Sequence, residues 1–135
     1  MKTLKIIVLL TFSFLLTTMS CSSDDDGGIN YADAIIGNWR YTSATENGEN
    51  VALDACELLE TLVINASQIR ITEYFGNSCE DSETFSVSYT LEGNAISLTD
   101  GVDSESVEIL VLNDTTFTIR QEDEGDVYTD TYTRQ

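Results

Sequence analysis

The sequence predicts an all-β domain: eight antiparallel strands that close into an up-and-down barrel, with a short helical turn before the first strand. Three observations predict it. The chain contains no proline, its short apolar runs are rich in Val, Ile, Thr, Tyr and Phe, and large and small residues alternate along them. A two-sheet sandwich is the alternative, but closure is preferred because it removes exposed sheet edges.

The alternation is clearest over residues 85–91, where apolar residues alternate with serine and threonine, as a sheet with one wet face requires. Residues 92–94 read Glu-Gly-Asn, a tight-turn signal, and Ile96 and Leu98 continue the alternation beyond it. A hairpin is therefore predicted here. The other strands are predicted at 38–45, 59–65, 68–75, 107–111, 117–119 and 127–134.

The first twenty residues have the layout of a secretory signal peptide. Lys2 and Lys5 precede an apolar run over residues 6–16, and small polar residues follow it up to Cys21. This run is too short for a membrane-spanning helix, which needs about 20 residues. Ser20 directly before Cys21 resembles the lipobox of bacterial lipoproteins, which implies cleavage before Cys21 and its acylation by fatty acids such as palmitate. Ordinary cleavage that leaves a free thiol is the alternative.

Residues 21–33 are predicted to form a flexible, acidic tether. The run Ser-Ser-Asp-Asp-Asp-Gly-Gly at 22–28 resembles the export tag of outer-membrane lipoproteins in Bacteroidota. The resemblance implies a lipid-anchored outer-membrane protein that is exposed at the cell surface. A solvated linker has the same composition, so whether the domain faces the periplasm or the medium stays open.

The charge of the chain limits its partners. The net charge is −18, with 24 acidic residues and no histidine, and the two lysines, Lys2 and Lys5, both lie in the leader. A chain this negative is repelled by nucleic acid and by anionic headgroups, so we expect neither as a non-covalent partner. Cations and basic protein patches remain, although high charge also simply keeps a protein soluble and monomeric.

The composition also predicts that the protein is not an enzyme. The mature chain lacks histidine and lysine, and a pairing of Cys56 with Cys79 would remove the thiolate nucleophile. Carboxylate pairs remain, but nothing distinguishes one of them. The acidic runs at 100–103 and 122–126 do not follow the twelve-residue calcium loop, so neither a metal nor a cofactor is expected.

Cys56 and Cys79 are predicted to form a disulfide, because an exported chain folds in an oxidising compartment. If residues 66 and 67 form the loop of the second hairpin, the numbers of opposite residues sum to 133. Cys56 then faces Asn77, and Cys79 lies one diagonal step away, so the two sulfurs are able to meet. Two separate buried thiols are the alternative.

Residues 35–41 read Ile-Ile-Gly-Asn-Trp-Arg-Tyr, a short helical turn followed by Gly37-x-Trp39 at the first strand. This motif resembles the Gly-x-Trp signature of lipocalins, and residues 34–135 resemble the small lipocalin-like lipoproteins of Bacteroidota. The resemblance implies that Trp39 closes the barrel floor and stacks on an arginine of a late strand. Arg134 is the first candidate for that arginine and Arg120 is the second.

The resemblance further implies a small hydrophobic ligand, held inside the barrel. The residues expected to line the space are inward-facing: Phe85, Val87, Tyr89, Ile109 and Phe117. The alternative is a solid barrel filled by its own side chains, whose function lies in its acidic loops or in a protein partner. The interior volume distinguishes these two hypotheses.

Overall fold

The structure is a computed structural model, and it describes residues 28–101 and 103–135. The predicted leader, the lipidated Cys21 and residues 22–27 of the tether lie outside the described residues. A short helix, α1 (Tyr31–Ala34), comes first, and a 3-10 turn (Glu57–Leu59) precedes the third strand. The described strands are β1 (Gly37–Glu46), β2 (Glu49–Val51), β3 (Thr61–Ile64), β4 (Gln68–Phe75), β5 (Asp81–Glu92), β6 (Ala95–Thr99), β7 (Ser104–Leu112), β8 (Thr116–Asp123) and β9 (Asp126–Arg134).

Eight of these strands form a closed antiparallel barrel. From β3 to β9 each strand pairs with the next one in the chain, and β1 closes the ring by pairing with β3 on one side and β9 on the other. The closing register runs from Trp39 opposite Arg134 to Glu46 opposite Tyr128. The predicted eight-stranded barrel is confirmed, and the sandwich is excluded because both sides of β1 are paired.

The short strand β2 was not predicted from the sequence. It pairs with residues 44–46 of β1, whereas β3 pairs with residues 37–40. The two strands therefore follow one another along the same side of β1. Asn47 and Gly48 form the turn and both have positive φ, which an Asn-Gly turn favours, so this dipeptide was the available signal.

The connections between strands divide the barrel into two ends. We call the end that carries α1 the floor, and the opposite end the mouth. Turns at 65–67, 93–94 and 113–115 also lie at the floor, together with the C-terminal end of β9. The connections at 47–48, 52–60, 76–80 and 124–125 lie at the mouth, as do residues 100, 101 and 103. The most completely buried large side chains pack towards the floor: Ile35, Trp39, Ile96 and Phe117.

The predicted disulfide is confirmed and lies at the mouth. Cys56 and Cys79 are bonded, with 5.2 Å between their Cα atoms. Thr61 pairs with Thr72, which is the register that the sum of 133 predicts. The bond attaches the segment before β3 to the turn between β4 and β5. Within the described residues, no helix has both the length and the hydrophobicity to cross a bilayer.

Candidate functional site

The floor of the barrel is built around Trp39, which is fully buried. Its indole N–H donates a hydrogen bond to the carbonyl of Ile35 at 2.9 Å, and its ring centre lies 5.4 Å from that of Phe117. The guanidinium carbon of Arg134 lies 4.1 Å from the centre of the Trp39 ring. The resemblance implied this stacked arginine in a late strand.

Arg134 joins three segments of the floor. Its guanidinium donates hydrogen bonds to the carbonyls of Ala34 at 2.7 Å, Ile36 at 2.9 Å and Asp114 at 3.0 Å. Gly37 has a φ of 147°, and a Cβ at that position would overlap Nη1 of Arg134. The glycine of the Gly-x-Trp motif is therefore required both for its backbone conformation and for the close approach of this arginine.

Arg120, the second candidate, does not contact Trp39. It pairs with Glu108 at 3.6 Å and also with Glu122, and all three side chains are partly exposed. On β8, Phe117 and Ile119 contribute to the interior, so Arg120 points to the outer face by alternation. Arg134, the first candidate, is therefore the arginine that stacks on Trp39.

Between floor and mouth the barrel holds a cavity of about 340 Å³. This volume is at the small end of the range of about 300 to 1,000 Å³ that is usual for small-molecule sites. The lower wall is formed by aliphatic and aromatic side chains. They are Leu62, Ile69, Ile71, Val87, Ile96, Leu98, Val107, Phe117, Ile119 and Tyr132.

A second space of about 240 Å³ extends the cavity to the turn between β6 and β7. The two spaces share Ile71, Val87, Leu98 and Glu105, which makes them neighbouring parts of one opening. Phe85 lines the outer space and is 40% exposed. An exposed aromatic ring at the mouth offers apolar surface to a molecule that enters.

Three of the five predicted lining residues border the cavity or its extension, and two do not. Val87 and Phe117 line the cavity, and Phe85 lines its outer extension. Tyr89 and Ile109 do not line either space. They are buried core, and the Tyr89 hydroxyl donates to the carbonyl of Asn65 at 2.7 Å, in the turn at the floor. Alternation identifies which residues point inward but not the level of the barrel at which the interior becomes empty.

Four polar side chains form the upper wall of the cavity, and sequence reasoning missed them. They are Glu73, Glu105, Gln121 and Asp130. Gln121 donates a hydrogen bond to Glu105. The signal was present, because Glu73 continues the inward alternation of Ile69 and Ile71, and Asp130 that of Tyr132. The abundance of acidic residues in this chain hides these interior ones among the acids of turns and solvent-exposed strands.

Carboxylates near the mouth contribute to raised pKa values at Glu60 and at two tyrosines. The hydroxyl of Tyr41 donates to Asp130 at 2.7 Å, and the rings of Tyr41 and Tyr132 stack at 5.1 Å. Burial, and then Asp130, raise the pKa of Tyr41 and of Tyr132. Burial raises the pKa of Glu60 to about 7, with further contributions from Glu73, Asp130 and Glu57.

No positively charged side chain of the described residues lines this cavity. The four arginines of this part of the chain lie elsewhere. Arg134 is at the floor, Arg120 is on the outer face, and Arg40 and Arg70 are exposed. Within residues 28–101 and 103–135, no group of three or more acidic or cysteine side chains is arranged to hold a metal ion.

The chain is similar to known proteins both in sequence and in fold. The sequence model of the lipocalin-like domain family matches residues 35–119. The fold is similar to the crystal structure of a lipocalin-like protein from Bacteroides uniformis, with 15% identity and a TM-score of 0.57, covering 76% of this chain and 99% of that one. It is also similar to an uncharacterized protein from Bacteroides eggerthii, with 15% identity and a TM-score of 0.54, covering 74% and 98%. Among curated proteins, none matches the chain.

Proposed function

Since the chain belongs to the lipocalin-like domain family, we propose that it is a lipid-anchored protein of the bacterial cell envelope that binds a small, mostly apolar molecule. The cavity of about 340 Å³ carries this proposal. Its lower wall is apolar, and its upper part opens at the mouth past Phe85. An apolar pocket with a few polar groups is the usual form of a small-molecule site.

The volume separates this function from the alternative of a solid barrel. A barrel filled by its own side chains leaves voids that are rarely larger than a water molecule. The present interior is many times larger, and the residues around it are side chains of seven different barrel strands. The cavity thus favours ligand binding over a purely structural role.

The anchor and the location belong to the same proposal. The signal-peptide layout and the Ser20-Cys21 junction support export and acylation, and the acidic run after Cys21 supports transfer to the outer membrane. One acyl chain alone gives only marginal membrane binding, whereas several chains together hold a protein stably on the membrane. The partners are then the membrane, through covalent lipid, and the cavity ligand, with a monomeric, non-enzymatic barrel and no nucleic acid.

Blocking the cavity tests the binding function. Val87→Trp places a large ring against the cavity, whereas Val111→Trp adds the same ring at an outward position that is 41% exposed. With decanol as the neutral probe, calorimetric titration is expected to show at least about tenfold weaker binding for Val87→Trp than for Val111→Trp or the parent. Equal decanol binding by the parent protein and by both variants would overturn the proposal.

Metabolic labelling with a fatty acid tests the anchor. Expression of the full chain in a Gram-negative host is expected to give a labelled, membrane-bound protein. Cys21→Ala is expected to lose the label, whereas Cys56→Ala serves as the control and keeps it. Label that persists in Cys21→Ala would contradict acylation at this residue.

A further inference from the structure

The wall of the cavity changes character along the barrel axis. The lower wall is aliphatic and aromatic, whereas the upper wall carries Glu73, Glu105 and Asp130. None of the arginines in the described residues lines the cavity to neutralise these carboxylates. A bound molecule therefore meets apolar surface at one end and negative charge at the other.

Tyr132 adds a separate observation at the boundary between the two walls. This residue is 6% exposed and lines the cavity. Within the described residues its hydroxyl has no hydrogen-bond partner. Every completely buried polar side-chain atom of these residues does have a partner, so the Tyr132 hydroxyl is not completely buried. The hydroxyl therefore keeps access to the cavity space, and it is a polar group available to a ligand.

The arrangement around Asp130 leaves capacity for a donor as well. One of its oxygens, Oδ1, accepts the hydroxyl of Tyr41, and a carboxylate has further acceptor sites on both oxygens. The stacked rings of Tyr41 and Tyr132 lie beside it. A carboxylate next to aromatic rings is the combination that attracts an ammonium group, by charge-assisted hydrogen bonds and by cation–π attraction.

From these observations we propose that the cavity selects an organic cation: a molecule with an apolar body, held by the lower wall, and a protonated amine at the level of Asp130 and the Tyr132 hydroxyl. This inference rests on the proposed binding function and specifies its ligand class. A fatty acid in the same orientation would place its carboxylate among Glu73, Glu105 and Asp130, where like charges repel it. A bare metal ion would leave the apolar wall unused.

Three probes with the same ten-carbon chain test the proposal: decylamine, decanol and decanoate. The protein used is residues 28–135, which contain all strands of the closed barrel and the disulfide. At pH 7.5 the amine is positive and the acid negative. We expect calorimetric titration below micelle-forming concentrations to rank decylamine about tenfold tighter than decanol, and decanoate weakest.

Two variants locate the selectivity. Asp130→Asn removes the charge but keeps the oxygen that accepts Tyr41, and is expected to weaken decylamine about tenfold with decanol unchanged. Tyr132→Phe removes only the hydroxyl and is expected to weaken decylamine about threefold. Glu92→Gln, an exposed position on β5 that lines no part of the cavity, makes the same change of charge as Asp130→Asn and is expected to leave all three affinities unchanged.

The outcomes separate this inference from the binding function beneath it. Equal affinities for the three probes, or tighter binding of decanoate, would overturn the cation selectivity and leave the binding function standing. An Asp130→Asn variant that weakens decanol as much as decylamine would show a structural role for the carboxylate and also overturn the inference. If no probe binds, both proposals fall.

Discussion

The floor and the mouth of this barrel are built from the same alternating strands but are filled in opposite ways. At the floor the core is apolar, and the charged guanidinium of Arg134 is met by three carbonyls and by the face of Trp39. At the mouth several inward positions are carboxylates, and two of them, Glu73 and Asp130, contribute after burial to the raised pKa of Glu60. The charge of Arg134 at the floor is matched by these partners, whereas no cation of the described residues lines the cavity beside the carboxylates at the mouth.

The difference indicates where stability and binding are located. Repulsion between ionised carboxylates costs free energy of folding, and carboxylates with perturbed pKa values are common in functional sites. The floor can compensate for this cost because its large side chains are almost completely buried. We therefore expect substitutions at the floor to affect stability, and substitutions at the mouth to affect ligand binding and the pH dependence of stability.

The largest expected effect is that of Trp39→Ala. This change removes a fully buried ring, its hydrogen bond to Ile35 and the stacking partner of Arg134. We expect urea denaturation to show a loss of about 3 to 5 kcal/mol in the free energy of unfolding. The matched control is Phe75→Ala at the mouth, where the ring is 49% exposed and a loss below about 1 kcal/mol is expected. Similar losses at both positions would remove the contrast between the two ends.

Removal of the disulfide is expected to cause the next largest loss in the free energy of unfolding. The disulfide is the exception to the expectation that substitutions at the mouth have little effect on stability. The bond closes a loop with a sequence separation of 23 residues, so the double change Cys56→Ser and Cys79→Ser is expected to cost about 3 kcal/mol. Thermal unfolding followed by circular dichroism is expected to show a melting temperature lower by several degrees. The parent protein under reducing agent provides the control and should match the double variant; an unchanged melting temperature would contradict the prediction.

The strands and the disulfide were predictable because both depend on pattern. Alternation places Leu62, Ile71 and Val87 inward whatever the rest of the barrel does, and a two-residue loop fixes the register between β3 and β4. The contact between Trp39 and Arg134 at the floor was not predictable from the alternation pattern alone. It followed from the family resemblance, because spacing alone does not indicate that residues nearly a hundred positions apart will meet.

The cavity was not predictable to the same degree. Tyr89 and Phe117 have the same inward direction, yet one packs into the core near the floor and the other borders empty space. That difference depends on the volumes of all side chains at one level of the barrel, which no local pattern records. The acidic wall was predictable in principle, since Glu73 and Asp130 continue inward alternations, but acidic residues are so abundant in this chain that the interior ones do not stand out.

Arg134→Lys is expected to have a smaller effect than loss of the disulfide. Lysine keeps the charge but cannot present several donors in a fixed plane, so at most part of the set of bonds to Ala34, Ile36 and Asp114 would survive. We expect a loss of about 2 kcal/mol in urea denaturation. Arg120→Lys, on the outer face with exposed partners, is the matched control and should change stability by less than about 0.5 kcal/mol. Equal effects of the two changes would show that Arg134 acts only as a surface charge.

The smallest expected effect, and the one specific to the mouth, is a gain in stability from Glu60→Gln at high pH. The pKa of Glu60 is raised from 4.5 to about 7 in the folded protein, first by burial and then by Glu73, Asp130 and Glu57. The unfolded chain loses this proton near pH 4.5, whereas the folded protein keeps it until about pH 7. The unfolded state thus binds fewer protons over this window, and stability falls as the pH rises through it.

Glutamine cannot ionise, so Glu60→Gln should remove this cost. The groups that face Glu60 are Tyr41 on β1, Glu57 in the 3-10 turn, Glu73 on β4, and Asp130 and Tyr132 on β9, and none is a cation that would lose an ionic partner. We expect equal stability of variant and parent below pH 4.5, and a variant more stable by about 1 to 2 kcal/mol at pH 8, after allowance for solvent screening. Glu92→Gln should show no such dependence on pH. If Glu60→Gln and the parent have parallel profiles from pH 4 to 8, the carboxylates of the mouth do not repel one another in solution, and the contrast with the floor is one of packing alone.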